Sequence, residues 1–198
     1  MVYYCGGNPT LELVITPSID VYDNFFTEDI RKEIFDLLLR PKWAPSGGNN
    51  NNWFWHMDKL HKEEFFSKYL YDIICAKLGI SYRVRRIYAN GQSAGQSGNP
   101  HTDDGDYTFL YYPNPEWKVH WHGHLHFLNK VGPEEYNNGW SEWKKFSYKW
   151  EESDEIQNTI TYKPNRAVIF PGKLIHYAEA PHRYYSGLRV SLAYKLIT

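Results

Sequence analysis

Cysteine is nearly absent: the 198 residues include two, Cys5 and Cys75. Two thiols exclude a disulfide scaffold and a cysteine-based zinc site, and they fit a reducing, cytoplasmic setting. An excess of either charge is also missing, because 22 Lys and Arg stand against 23 Asp and Glu, a net charge of −1. A chain so balanced has no electrostatic reason to seek nucleic acid or an anionic membrane. Mean hydropathy is −0.64, and no window approaches the ~20 apolar residues of a membrane span. The opening MVYYCGGNPT has neither a basic n-region nor an apolar h-region, so no secretory signal is expected. No repeat and no linker divides the chain, so residues 1–198 are expected to form a single domain. What is plentiful is aromatic: 18% of residues, with 17 Tyr and 8 Trp. Disorder needs few aromatics, so the chain is expected to fold around one sizeable core.

The hydrophobic period changes along the chain. Thr27 reads as a helix N-cap, Ile30, Ile34, Leu37 and Leu38 share one helical face, and Arg40-Pro41 ends the run. A second helix is expected from about Asp58 to Leu78, stopped by Gly79. Between them, WAPSGGNNNNWFWHM (residues 43–57) reads as a loop. The helical period then disappears. Short β-type runs follow at 81–89, 107–112, 119–128, 159–162, 167–170, 174–178 and 188–197. The stretch between 128 and 158 is polar and holds Trp140, Trp143 and Trp150. Helices followed by short strands predict an α+β fold, with helical support over 20–79 and a sandwich or jelly-roll β part over about 80–198.

Histidine carries the chemistry. His101-Thr102-Asp103 follows a Gly-rich loop, and His176 comes 75 residues later in a β-type run. On a strand, residues i and i+2 share a face, so His101 and Asp103 can grip one ion while His176 arrives from a partner strand. Two imidazoles and one carboxylate make the facial triad of non-haem Fe(II) oxygenases. The bland alternative is a turn in which Asp103 caps backbone N–H groups. Arg189 and Ser191 share a strand face 13 and 15 residues beyond His176. A guanidinium binds a carboxylate through two parallel hydrogen bonds, and a hydroxyl adds a third, which suits a dicarboxylate such as 2-oxoglutarate.

Four stretches in order carry a resemblance over roughly 82–196: Arg85-Arg86-Ile87-Tyr88-Ala89-Asn90-Gly91, His101-Thr102-Asp103, Trp121-His122-Gly123-His124-Leu125-His126-Phe127 and Lys163-Pro164-Asn165-Arg166-Ala167-Val168-Ile169-Phe170. Together they resemble the 2-oxoglutarate- and Fe(II)-dependent dioxygenases, in the prolyl hydroxylase branch. The resemblance implies a double-stranded β-helix (a jelly roll) buttressed by N-terminal helices. It assigns His101, Asp103 and His176 to iron and to catalysis. It also assigns Arg189, Ser191 and Tyr88 to the far carboxylate of 2-oxoglutarate. Implied cofactors are Fe(II), 2-oxoglutarate and O2, with ascorbate in support. The segment between His176 and Arg189 is longer than the family's usual one, which makes Arg183 an alternative carboxylate binder.

His120, His122, His124 and His126 alternate at period two, as on one face of a strand, and a different or second metal site is one reading of them. The other is a half-exposed strand face. Three function classes follow. The first is a hydroxylase acting on a prolyl residue of a peptide or protein, or else on a free amino acid or other small molecule. The second is a cupin-like metal enzyme without 2-oxoglutarate. The third is a jelly-roll binding module. Trp43, Trp53 and Trp55 are expected to grip an extended, proline-containing substrate. A monomer or weak dimer is expected.

Overall fold

The computed structural model describes residues 18–47, 53–132 and 148–198. A seven-stranded sheet has the order β1-β8-β5-β10-β4-β3-β2, and a three-stranded sheet the order β7-β6-β9. The strands are β1 Asp20–Tyr22, β2 Ala44–Gly47, β3 Trp53–Met57, β4 Arg83–Gln92, β5 Tyr107–Tyr111, β6 Leu125–Val131, β7 Ile156–Ile160, β8 Ala167–Pro171, β9 Leu174–Ala178 and β10 Arg189–Ile197. All pairings are antiparallel. This is the jelly roll the turn-separated short strands predict. No helix among the described residues is long and apolar enough to cross a membrane.

The central strand β10 shows why the layers form. Val190, Leu192, Tyr194 and Leu196 join one buried cluster with Ile87 and Ala89 of β4, Phe109 and Tyr111 of β5, and the helical residues Ile34, Leu38, Phe66, Leu70 and Ile74. The alternate residues Arg189, Ser191, Ala193 and Lys195 are also buried. Ala193 joins a second cluster with Leu110, Tyr112, Leu125, Phe127, Tyr162, Val168, Phe170 and Leu174. The large sheet is therefore covered by helices on one face and by the small sheet on the other. That double burial leaves β8 and β10 buried along nearly their whole length instead of alternating between core and solvent.

The first helix, α1, runs Glu28–Leu38 with Thr27 at its N-cap, as the periodicity predicts. Its entry is tied to the Lys163-Pro164-Asn165-Arg166 turn. Asn165 adopts φ 58°. Its amide exchanges hydrogen bonds with Phe26, Oδ1 accepting from N at 2.9 Å and Nδ2 donating to O at 2.8 Å.

Three expectations change. The second helix is not one α-helix from Asp58. A 3₁₀ turn (Leu60–Lys62) precedes a π-helical turn (Phe65–Leu70) and then α2 (Tyr71–Leu78). The wider π turn keeps Phe66, Leu70 and Ile74, all 0% exposed, on one line against the sheet. The 43–57 loop is largely strand: β2 and β3 pair with each other, and β3 extends the large sheet through β4; residues 48–52 lie outside those described. The 119–128 run is not one strand. Val119–Trp121 is a 3₁₀ turn, His122 takes φ 58°, and β6 starts at Leu125. Trp140 and Trp143 also lie outside the described residues.

A candidate metal centre in the barrel

His101 and His176 meet because their backbones bond reciprocally, each N–H donating to the other's carbonyl at 3.0 Å. Asp103 is placed by its N–H, which donates to Gly172 O at 2.8 Å. Gly172 permits this approach: a Cβ there would stand 2.0 Å from Gly105 O. The outcome is one cluster in which His101 Nε2 lies 3.6 Å from Asp103 Oδ1 and His176 Nε2 lies 3.4 Å from Oδ2. Among the described residues it is the one group of three His, Cys, Asp or Glu ligand atoms all within 4.8 Å of one another.

The imidazoles are aimed. His101 Nδ1 lies 2.8 Å from Asn99 O, and His176 Nδ1 lies 2.8 Å from Leu174 O. A carbonyl only accepts, so each Nδ1 carries the proton and each Nε2 presents its lone pair to the cluster. Burial lowers the His176 pKa, which keeps that ring neutral. Burial also works against the Asp103 charge, but the Lys195 ammonium outweighs it and holds the carboxyl well below its usual range. Neutral imidazoles and an ionised carboxylate are the forms a divalent transition ion takes. The donor set therefore fits a metal.

Two further groups hold Asp103 from behind. Thr108 Oγ1 donates to Oδ2 at 2.5 Å, and the Lys195 ammonium pairs with the same oxygen.

Arg189, at the other end of β10, is 0% exposed. Its Nε donates to Gly123 O and its Nη1 to Gln92 Oε1, both at 2.7 Å. Gly123 has φ 75°, and a Cβ there would come within 3.0 Å of the Arg189 side chain. The guanidinium carbon stands 5.5 Å from the Tyr112 ring centre and 5.0 Å from that of Tyr162. Arg189 Nη2 and Tyr112 Oη are both buried without a hydrogen-bond partner. A buried donor left unmade costs about 1–3 kcal/mol, so each of these two is available to an acceptor. Ser191 is buried on the same strand face, opposite Asn90.

The structure does not bring Tyr88 to Arg189. Tyr88 lies four residues from Gln92, across from Ala193. Its ring stands 4.6 Å from the Arg86 guanidinium and 5.6 Å from the Lys195 ammonium. Arg183 is exposed, resting on Tyr184. The sequence reading missed Tyr112, Thr108, Gln92 and Lys195. Lys195 had a signal, because the Arg189–Ser191 alternation carried two steps further reaches it; Tyr112 had none.

The histidine row does not share one strand face. His120 is exposed beside Trp121, at 6.2 Å between ring centres. His122, His124 and His126 are spaced by 6.0 and 6.2 Å. Glu179 lies between them, 3.4 Å from His122 Nδ1 and 3.7 Å from His126 Nε2. Leu125 and Phe127 point to the core, so His126 stands on the outer face of the small sheet, and no compact ligand group forms there.

Trp43 is engaged elsewhere, its Nε1 donating to Leu38 O at 2.8 Å. Trp53 and Trp55 are 56% and 40% exposed. Trp55 pairs with Gly91, which faces the helical layer. The hairpin residue that faces the barrel is His56, 2.9 Å from Asn90 Oδ1 and 4.9 Å from the Tyr88 ring.

No protein-family model matches the sequence, and no curated protein matches it. Solved structures do resemble the fold. A prolyl hydroxylase from Trichoplax adhaerens, in complex with a hypoxia-inducible factor peptide fragment, aligns with a TM-score of 0.60 and 15% identity, over 91% of this chain and 84% of that one. A Pseudomonas putida prolyl-4-hydroxylase aligns at 0.58 and 12% identity, over 92% and 94%. HygX from Streptomyces hygroscopicus, with nickel, 2-oxoglutarate and hygromycin B bound, aligns at 0.58 and 10% identity, over 90% and 82%. At these identities the likeness is one of fold: the jelly roll described here is the one 2-oxoglutarate and Fe(II) oxygenases use.

Proposed function

We propose that the protein is an Fe(II)- and 2-oxoglutarate-dependent dioxygenase that hydroxylates a C–H bond, with a prolyl residue of a peptide or protein as substrate. The observation that carries this reading is the pairing, in one barrel, of a His-Asp-His cluster with two buried unpartnered donors, Arg189 Nη2 and Tyr112 Oη. A metal ligand set alone also suits a cupin; a waiting guanidinium does not follow from one.

In this reading His101, Asp103 and His176 hold the iron, which supplies oxygen activation coupled to decarboxylation of the co-substrate. Arg189 grips the far carboxylate with Nη2, while Gly123 O and Gln92 Oε1 keep the fork from turning. Tyr112 donates to the same carboxylate, and Ser191 lines the path between. Leu110, Phe127, Phe170 and Val168 wall the site off from water. The mouth is on the His101 side, whose side chain is 33% exposed against 6% for His176. The two exposed tryptophans of β3 are on the other face of the sheet and do not serve as the substrate grip. Prolyl specificity rests on the motif resemblance and on the fold shared with two prolyl hydroxylases.

The test is substrate-coupled turnover. With Fe(II), 2-oxoglutarate and ascorbate, succinate release should rise with proline-containing peptides and not with free amino acids. Turnover with free amino acids and none with any peptide would overturn the prolyl-peptide reading and keep the oxygenase one.

A further inference from the structure

Histidine also gathers outside the barrel, around Glu179, one residue beyond the end of β9. The backbone N–H of Glu179 donates to His124 O at 2.8 Å, and its Oε2 accepts from His124 N–H at 3.2 Å. The residue is thus fixed at both ends to the His124 backbone. Each carboxylate oxygen then faces its own imidazole. His122 Nδ1 stands 3.4 Å from Oε1, and His126 Nε2 stands 3.7 Å from Oε2. These separations are long for hydrogen bonds. They match those in the barrel, where imidazole nitrogens stand 3.6 and 3.4 Å from the oxygens of Asp103. The outer group is wider than the inner one, whose ligand atoms all fall within 4.8 Å. Its exposed member, the His122 side chain, is on the solvent side, where an ion can draw it in.

Two local features aim these rings. His122 takes φ 58° and ψ −132°, which glycine adopts freely and other residues rarely do. A histidine occupies the position although a glycine would fit with less strain. The conformation is held from β9's side: His122 forms a bridge with Pro181, and His182 N–H donates to Trp121 O at 2.8 Å. Its outcome is to bring His122 Nδ1 to Glu179. The His126 ring is oriented by Thr159, whose Oγ1 lies 2.9 Å from Nδ1, which leaves Nε2 toward Glu179. Tyr177 packs on that ring at 4.9 Å between centres, and Trp150 on Tyr177 at 5.4 Å. Burial lowers the His126 pKa, so the ring is neutral at pH 7.

We infer that His122, Glu179 and His126 form a second metal site, on the outer face of the small sheet, for a divalent transition ion such as zinc. Two imidazoles and a carboxylate suit that ion, and water fills the fourth position. The site opens to solvent, so the charge that one carboxylate leaves uncompensated is hydrated. None of the three residues belongs to the proposed iron and 2-oxoglutarate site, and the inference stands without that reading.

Equilibrium dialysis of the metal-free protein against Zn(II), with zinc counted per chain, tests it. Wild type should hold two ions, one in the barrel and one outside. Glu179→Gln, His126→Ala and His122→Gly should each hold one. Loss of a ligand should weaken the outer ion by more than the ~10–100-fold that a partner behind a ligand is worth. His120→Ala, which changes the exposed member of the same row, should keep both ions. Asp103→Ala should keep the outer ion, and Asp103→Ala with Glu179→Gln should hold none. His122→Gly guards against a variant that folds poorly: it relieves backbone strain, so its metal-free Tm should equal or exceed that of wild type while the outer ion is lost. A second ion that survives in both Glu179→Gln and His122→Gly is adventitious and would overturn the inference. So would a wild type that binds no zinc, or only an ion lost in Asp103→Ala. A single ion that survives in Asp103→Ala and leaves in Glu179→Gln would uphold the outer site and refute the one in the barrel.

Discussion

Arg189 shows what one residue reveals when its hydrogen bonds are counted. A fully buried guanidinium with two of its nitrogens bonded and the third unpartnered is a donor set aside for something else. Arg189→Lys keeps the charge and loses the fork. It should raise the 2-oxoglutarate KM by about tenfold or more, in line with the ~1.5–3 kcal/mol of a charge-assisted bond. Tyr112→Phe should raise the same KM by less and leave metal binding intact. Steady-state kinetics in 2-oxoglutarate checks both, and an unchanged KM in the arginine variant would place the carboxylate elsewhere. The histidines, Asp103, Arg189 and Ser191 were legible in the sequence because spacing by two or by strand position advertises a shared face. Tyr112 was not. It is one of seventeen tyrosines, and only the three-dimensional packing sets its ring 5.5 Å from the Arg189 guanidinium. Tyr88 drew attention through its motif, and its ring rests between Arg86 and Lys195 instead.

At the scale of elements, period two was a sound guide where both faces of a strand meet protein, and a poor one where the chain turns. β10 follows its alternation from end to end. The His120–His126 run has the same alternation, but the left-handed His122 breaks it before β6 begins. In β3, Trp53–Met57 also alternates, and the run of asparagines next to it drew the reading toward loop. The link from β1 to α1 yields a pH prediction. Asp23 accepts from Lys163 at 2.7 Å and from Arg166 at 2.7 Å, tying the start of α1 to the turn before β8. These hydrogen bonds, Arg166 first, lower its pKa from 3.8 to about 2. A lowered folded-state pKa gives stability that is complete above the unfolded value and is lost as pH falls through the folded one. Wild type should therefore melt above Asp23→Asn at pH 5 to 7, and the gap should close between about pH 4 and 2. Melting curves over that range check it, and a gap that persists at pH 2 would remove Asp23 from the account. The ion pair is partly exposed, so the gap is small and shrinks in salt.

For the molecule as a whole, the order of helices and then short strands predicts a sandwich or barrel, and the motif resemblance narrows it to the jelly roll, whose large sheet has one apolar face for the helices and another for the small sheet. The interior between the sheets is where the sequence said least. A buried lysine beside a buried aspartate, and a hydroxyl and a guanidinium left unpartnered, arise from strands far apart in the chain that pair only on folding. In the proposed reading those contacts bring a metal cluster and a dicarboxylate seat together between the sheets, and that is the central claim. Anaerobic equilibrium dialysis measures it most directly, counting Fe(II) and 2-oxoglutarate bound per chain in wild type and in Asp103→Ala. The account predicts one of each on wild type and loss of the iron in the variant. Iron retained at full stoichiometry in Asp103→Ala, or no iron on wild type, would contradict it.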